Sequence, residues 1–209
     1  VLSSHVQILC FTTKGKVFWL KVYEIPVASR TSKGRPLVNM LNLDDDERVS
    51  DILPVEEFSD DKYVFMATNK GITKKTNLSH FARKWKSGIK AISLDDDDRL
   101  IGTAITDGTN EILLASSAGK LIRFSESKVR PMGRTASGVR GISMKETDEV
   151  VGMVTVEDFS KTVLVVSENG YGKRTYLNDP ETDEPIYRVT NRGGKGVKTL
   201  NITDKTGNL

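Results

Sequence analysis

Short apolar runs separated by glycine turns recur along the chain, and the arrangement comes round four times. Val6 to Phe11, Val17 to Val22, Tyr63 to Ala67, Ile112 to Ala115, Leu121 to Phe124 and Val163 to Val166 are rich in Val, Ile, Leu and Phe. Apolar and polar positions alternate in Val17-Phe-Trp-Leu-Lys-Val22 and in Leu121-Ile-Arg-Phe124, the period of half-buried strands. The turns between paired runs read Thr13-Lys-Gly15, Asn69-Lys-Gly71, Ala118-Gly119 and Asn169-Gly170. Glycine supplies the positive φ of a tight hairpin turn, so each pair of runs is expected to form a β-hairpin.

A second signature, Gly-x-x-x-apolar-x-apolar, follows each hairpin glycine. It reads Gly34…Val38-x-Met40, Gly88…Ile92-x-Leu94, Gly138…Ile142-x-Met144 and Gly196…Leu200-x-Ile202. Each copy predicts a third strand. A charged turn then leads to a fourth, at Ser50 to Leu53, Ile101 to Ile105 and Val151 to Val156. Four strands in about fifty residues match a propeller blade, so the chain is read as all-β, one propeller-like domain of about four four-stranded blades. The repeat units are taken as 1–55, 56–106, 107–157 and 158–209. Helix is scarce, and only Asn77 to Arg83, with Asn77 as cap, predicts a turn or two. The fourth unit stops after its third strand, and the chain is expected to be part of a larger ring.

Charge changes the picture more than composition does. The 209 residues carry a net charge of +3, yet Asp44 to Glu47 and Asp95 to Asp98 hold eight of the 28 acidic residues. Without those runs, 31 basic residues face 20 acidic ones, a balance that fits a basic face for a polyanion and an acidic edge elsewhere. No apolar run is long enough for a membrane helix, and no cleavable signal is present. Cys10, the lone cysteine, lies in a strand-like run and is expected to be a small core residue of a reducing compartment.

Basic residues gather on the second signature. Lys33 and Arg35, Lys84, Lys86 and Lys90, Arg134 and Arg140, and Arg188, Arg192, Lys195 and Lys198 all stand there, with Lys173 and Arg174 beside the fourth hairpin. One such loop would be an ordinary solvated turn. Four equivalent loops set along one edge make a cationic track suited to duplex phosphates rather than to base reading. Gly193, Gly194 and Gly196 in the densest loop are candidates to bring backbone N–H groups against phosphate. The spacing of a nucleotide-binding phosphate loop is missing. His5 and His80 are isolated, Asp95 to Asp98 lacks calcium-loop spacing, and no nucleophile has a base partner, so neither a metal nor a catalytic site is expected. Trp19 reads as core, whereas Trp85, among Arg and Lys, could stack on a base.

Tyr23-Glu-Ile-Pro26, Gly34-Arg-Pro-Leu-Val-Asn39, Gly133-Arg-Thr-Ala-Ser-Gly-Val-Arg-Gly-Ile142 and Gly170-Tyr-Gly-Lys-Arg-Thr175 resemble the C-terminal domain of DNA gyrase A, and the likeness runs along nearly the whole chain. The resemblance implies a β-pinwheel, usually six-bladed, in which neighbouring blades exchange strands and DNA bends around the basic rim. It further implies service in an ATP-driven, cytoplasmic type II topoisomerase that introduces negative supercoils, with gyrase B and a second copy of gyrase A as partners. ATP, Mg2+ and the catalytic tyrosine would lie outside this chain, so none of Tyr23, Tyr63, Tyr171, Tyr176 or Tyr187 is cast as nucleophile. The family's box, Gln-Arg-Arg-Gly-Gly-Lys-Gly, is matched in its last five positions by Arg192-Gly-Gly-Lys-Gly196 and departs at Thr190 and Asn191. That loop is a secondary, box-like copy, and the principal box is expected upstream of Val1. Two alternatives stand beside this reading: the related C-terminal domain of topoisomerase IV, and a propeller that scaffolds proteins.

Overall fold

The computed structural model describes residues 2–209. Fourteen strands follow one another with only short 3-10 turns between them: β1 (Gln7–Thr12), β2 (Lys16–Lys21), β3 (Val49–Val55), β4 (Tyr63–Thr68), β5 (Ile72–Asn77), β6 (Ile89–Lys90) and β7 (Leu100–Thr106). The remainder are β8 (Glu111–Ser116), β9 (Lys120–Ser125), β10 (Val139–Arg140), β11 (Val150–Val156), β12 (Thr162–Val166), β13 (Gly172–Tyr176) and β14 (Val197–Lys198). They form three antiparallel four-stranded blades, β3-β1-β2-β6, β7-β4-β5-β10 and β11-β8-β9-β14, and a fourth sheet of two strands, β12-β13.

Blades and sequence repeats do not coincide. β6 belongs by sequence to the second repeat but closes the outer edge of blade 1, and β10 and β14 stand in the same relation to blades 2 and 3. The third strand is also shorter than its apolar signature predicts. It consists of the two residues directly after the signature glycine, and in the first repeat the apolar-x-apolar positions lie in a 3-10 turn, Leu37–Met40. Ile92 and Ile142 instead leave the sheet and pack into the seams between blades. At the other edge, β7 packs against both β3 and β11, and the Asp51 carboxylate accepts Thr103 N–H at 2.8 Å and Thr103 Oγ1 at 3.1 Å.

Both faces of a central strand are covered, which is why β1 and β4 read as continuous apolar runs. Leu9, Phe11 and Val17 meet Val64, Met66, Phe81 and Ile92 between blades 1 and 2. Phe65 and Ala67, on the opposite face of β4, meet Leu114, Ile122, Phe124 and Ile142 between blades 2 and 3. Each fully buried Leu, Ile or Phe contributes roughly 1.5–3 kcal/mol. Trp19 is half-buried at the first seam and donates its Nε1–H to Phe81 O at 2.8 Å. Asn77 precedes the 3-10 turn Leu78–Phe81 but does not cap it; its amide donates to Asp60 O at 3.0 Å.

The exchanged strand is held at the hairpin glycine. Gly15 O accepts Ala91 N–H at 2.7 Å and Ile92 N–H at 3.1 Å. Gly71 O receives Gly141 and Ile142 at 2.8 and 3.3 Å, and Gly119 O receives Thr199 and Leu200 at 2.8 and 3.2 Å. Gly15 has φ +72°, and a Cβ there would lie 2.8 Å from Ile92 O. Gly15→Ala is therefore expected to cost at least about 2 kcal/mol, combining left-handed strain with displacement of the incoming segment. Urea unfolding of the two chains measures the difference.

Candidate nucleic-acid interface

The exchange carries one cation to the same place on three successive blades. Lys90 on β6, Arg140 on β10 and Lys198 on β14 each occupy the second residue of an outer strand and are exposed. Their partners across the ladder are Lys16, Ile72 and Lys120. Lys120 and Lys16 were not singled out from sequence, although their place directly after a hairpin glycine marks them. Lys16 is neutralised by Asp44 at 2.8 Å and Glu47 at 3.5 Å. Among the described residues, no carboxylate lies within 4.0 Å of Lys90, Lys120, Arg140, Lys195 or Lys198.

The loop before each outer strand crosses to the neighbouring blade. Ser93 donates its N–H to Ala136 O at 3.2 Å and its Oγ–H to Thr135 O at 2.7 Å, while Ser143 N–H donates to Gly194 O at 2.8 Å. The box-like loop extends this stitching. Gly193 N–H donates to Gly141 O at 2.6 Å, and Arg192 sends Nε–H to Lys128 O at 2.9 Å and Nη1–H to Arg140 O at 3.1 Å. Arg192 thus braces the rim from a half-buried position, while Lys195 projects from it exposed.

The three glycines have structural reasons of their own. Gly193 and Gly196 need φ of +80° and +69°, and a Cβ on Gly196 would lie 2.7 Å from Leu121 O. Gly194 packs beside Ile122. Of the other loop residues, Lys84, Lys86 and Arg188 are exposed and Arg134 is half-buried. Trp85 is 47% exposed, and the Arg83 guanidinium lies 4.6 Å from its ring centre.

Two pairs of expected contacts fall outside this pattern. Lys33 and Arg35 are exposed in a segment without strand pairing, and Pro36 occupies the position that Lys90, Arg140 and Lys198 fill elsewhere. Lys173 and Arg174 stand three and four residues after Gly170, as Lys74 and Lys75 stand after Gly71. They are exposed on β13, whereas the equivalent cations of blades 2 and 3 are buried.

Those buried cations fix loops rather than solvent anions. Lys75 meets Glu126 at 3.4 Å, and Glu126 also accepts Thr106 Oγ1 and the N–H groups of Gly108 and Asn110. Arg123 binds Glu111 and donates to Asn178 Oδ1 and Tyr187 O, both at 3.0 Å, anchoring the insertion of the fourth repeat. Lys74 is different. It stands where Phe18 and Ile122 stand in the flanking blades, is wholly buried, and donates to Ala91 O at 2.7 Å and Arg134 O at 2.5 Å. Burial, aided by the charge of Arg134, pulls its pKa down from 10.5 to about 7.

The acidic runs sit at the hairpin-turn edge and are engaged there. Lys14 pairs with Asp46, and Lys70 with Asp97 at 2.6 Å. Hydrogen bonding to Lys16 holds the Asp44 carboxyl below its usual value. Glu47, Asp98 and Asp148, at matching positions, turn back onto their hairpins: Glu47 accepts Thr12 Oγ1, Asp98 accepts Lys70 N–H and Asp148 accepts Ala118 N–H. Cys10 is buried, and burial pushes its thiol up to about 11. No cluster of three or more metal-ligating side chains occurs among the described residues.

Strand-exchanging blades with a line of cations on their outer edges define a propeller-class module with a cationic rim. The chain belongs to the DNA gyrase C-terminal domain, beta-propeller family, whose model matches residues 7–56, 62–107, 110–157, 161–179 and 187–209. The gyrase A protein of Staphylococcus aureus (strain MRSA252) is 48% identical over 210 residues, a match covering all of this chain and 23% of the relative. The solved C-terminal domain of DNA topoisomerase IV superposes with a TM-score of 0.85 at 27% identity, over 99% of this chain and 62% of that one. A DNA gyrase A C-terminal domain gives 0.78 at 26% identity, over 99% and 64%.

The depressed Lys74 pKa has a consequence for stability. Between about 7 and 10.5 the unfolded chain binds a proton that the folded chain does not, so stability rises with pH across that window. Thermal or urea unfolding between about pH 7 and 9 is expected to show this rise, at most about 1.4 kcal/mol per pH unit, and Lys74→Met is expected to remove it.

Proposed function

We propose that this chain is a non-catalytic, duplex-bending module of a DNA gyrase A protein. The observation that carries the reading is the placement of Lys90, Arg140 and Lys198: one exposed cation, with no carboxylate near it, at the same position of three successive outer strands. Cations presented on separate blades meet phosphates at intervals along a backbone and release counterions, and they carry no base information. Lys195, Lys120 and Lys84 thicken the track, while Arg192 sets the spacing of the strands that bear it.

The wider assignment follows from the relatives. The 48% identity over the whole chain to a DNA gyrase A protein supports gyrase, while the solved topoisomerase IV and gyrase A domains, at 27% and 26% identity, share the fold without separating the two. In that reading the chain bends and wraps DNA so that an assembly of two gyrase A and two gyrase B chains, in the cytoplasm, passes strands and adds negative supercoils. ATP and Mg2+ act in other parts of that assembly.

The logarithm of duplex affinity is expected to fall linearly with the logarithm of salt concentration, and affinity to be indifferent to sequence. Replacing Lys90, Arg140 and Lys198 together by Ala lowers the slope by about 0.9 for each phosphate no longer neutralised, about 2.7 in all. Arg192→Ala leaves the slope close to its starting value, because its guanidinium is committed to carbonyls. Fluorescence-anisotropy titrations at several salt concentrations read both, and an unchanged slope in the triple variant contradicts the assignment of the rim.

A further inference from the structure

Blade 2 carries an ammonium where its neighbours carry hydrocarbon. Phe18, Lys74 and Ile122 each stand three residues after a hairpin glycine, on the second strand of blades 1, 2 and 3, and all three are buried. Phe18 and Ile122 fill the space beneath Gly88 and Gly194 of the rim loops. In blade 2 the same space holds the Lys74 stem, with its Nζ between two rim carbonyls. Ala91 O directly follows Lys90 of the blade 1 outer strand, and Arg134 O lies in the loop leading to Arg140.

The electrostatic surroundings of Lys74 are one-sided. Arg134 is the charged group that bears on it, from the loop above, and the Ala91 carbonyl it holds directly follows the exposed Lys90. Its ladder partner on β4 is Met66. Its neighbour Lys75 is already paired with Glu126. Among the described residues no carboxylate lies within 4.0 Å of Lys74. The nearby charge is therefore positive, and an anion bound at the rim is the natural counter-charge.

We propose that Lys74 is a proton-linked cation built into the rim, taking up a proton when duplex phosphates lie across the Arg134 loop and then adding its charge to the grip. The idea rests on the DNA-binding reading above. The proton balance is simple. A neutral amine keeps two N–H groups and an ammonium has three, so the bonds to Ala91 and Arg134 persist in both states. Only the charge changes. Burial, with the charge of Arg134, lowers the Lys74 pKa to about 7, and an approaching phosphate favours the charged form. Each unit by which DNA raises the Lys74 pKa makes binding tenfold tighter on the acid side of the transition than on the alkaline side.

Proton uptake is measured by calorimetry in two buffers of unlike ionisation enthalpy, titrating a mixed-sequence duplex into the 209-residue chain at about pH 8. His5→Gln and His80→Gln, both at exposed positions, are included in all proteins so that imidazoles do not contribute. The chain with Lys74 is expected to take up a fraction of a proton per duplex bound and to lose affinity between about pH 6.5 and 9, by about tenfold for each unit of pKa shift. Lys74→Met, apolar like Phe18 and Ile122, is expected to bind without that uptake and with a flat profile. The Lys74 arm does not depend on the folding of Lys74→Met. Salt-dependent duplex binding with no proton uptake, or equal uptake by a folded Lys74→Met chain, overturns this proposal alone. A chain that binds no duplex overturns the DNA reading and the proposal with it.

Discussion

A single carbonyl in each of the first three hairpins organises the molecule. Gly15, Gly71 and Gly119 turn their C=O groups outward, and each accepts two N–H groups from the next repeat. A side chain at those positions would collide with the segment being held, which is why the turn residue is glycine and not merely flexible. Once the two bonds form, the residue before them is fixed on the blade's outer edge, and the residues after them drop into the inter-blade seam. Rim and core are therefore set by one contact.

The basic residues divide by what neutralises them. At the hairpin-turn edge Lys14, Lys16 and Lys70 face the acidic runs, and within the blades Lys75 and Arg123 hold loops through buried carboxylates and carbonyls. On the outer strands Lys90, Arg140 and Lys198 have no such partner within the described residues. Surface ion pairs add little stability, so the acidic runs matter here chiefly because they confine free positive charge to the rim. Arg192, Ser93 and Ser143 then tie adjacent outer strands to each other, making the separate cations one surface.

Much of this was legible in the residues. The hairpins and the returning strands after Arg48, Arg99 and Glu149 follow from apolar runs and glycine turns, and the rim lysines follow from the repeat. The ownership of the third strand did not follow, because periodicity shows where a strand lies and not which sheet it joins. Two-residue strands such as Ile89–Lys90 are too short to carry a pattern at all. The bracing role of Arg192 was not legible, because a carbonyl partner 52 residues away leaves no mark on local sequence. Lys74 could have been found by aligning the third residue after each hairpin glycine, where a lysine stands among Phe18 and Ile122.

The central claim is that the three outer-strand cations act together as a curved track that bends duplex DNA. Ligase-driven cyclisation of a duplex near one persistence length, about 150 bp, tests it most directly, since bending such a length smoothly is costly without help. The account predicts faster ring closure with this chain bound, and loss of that acceleration when Lys90, Arg140 and Lys198 are replaced by Ala at concentrations where the duplex is still occupied. Binding with no change in the rate of closure, or acceleration that survives the triple replacement, would contradict it.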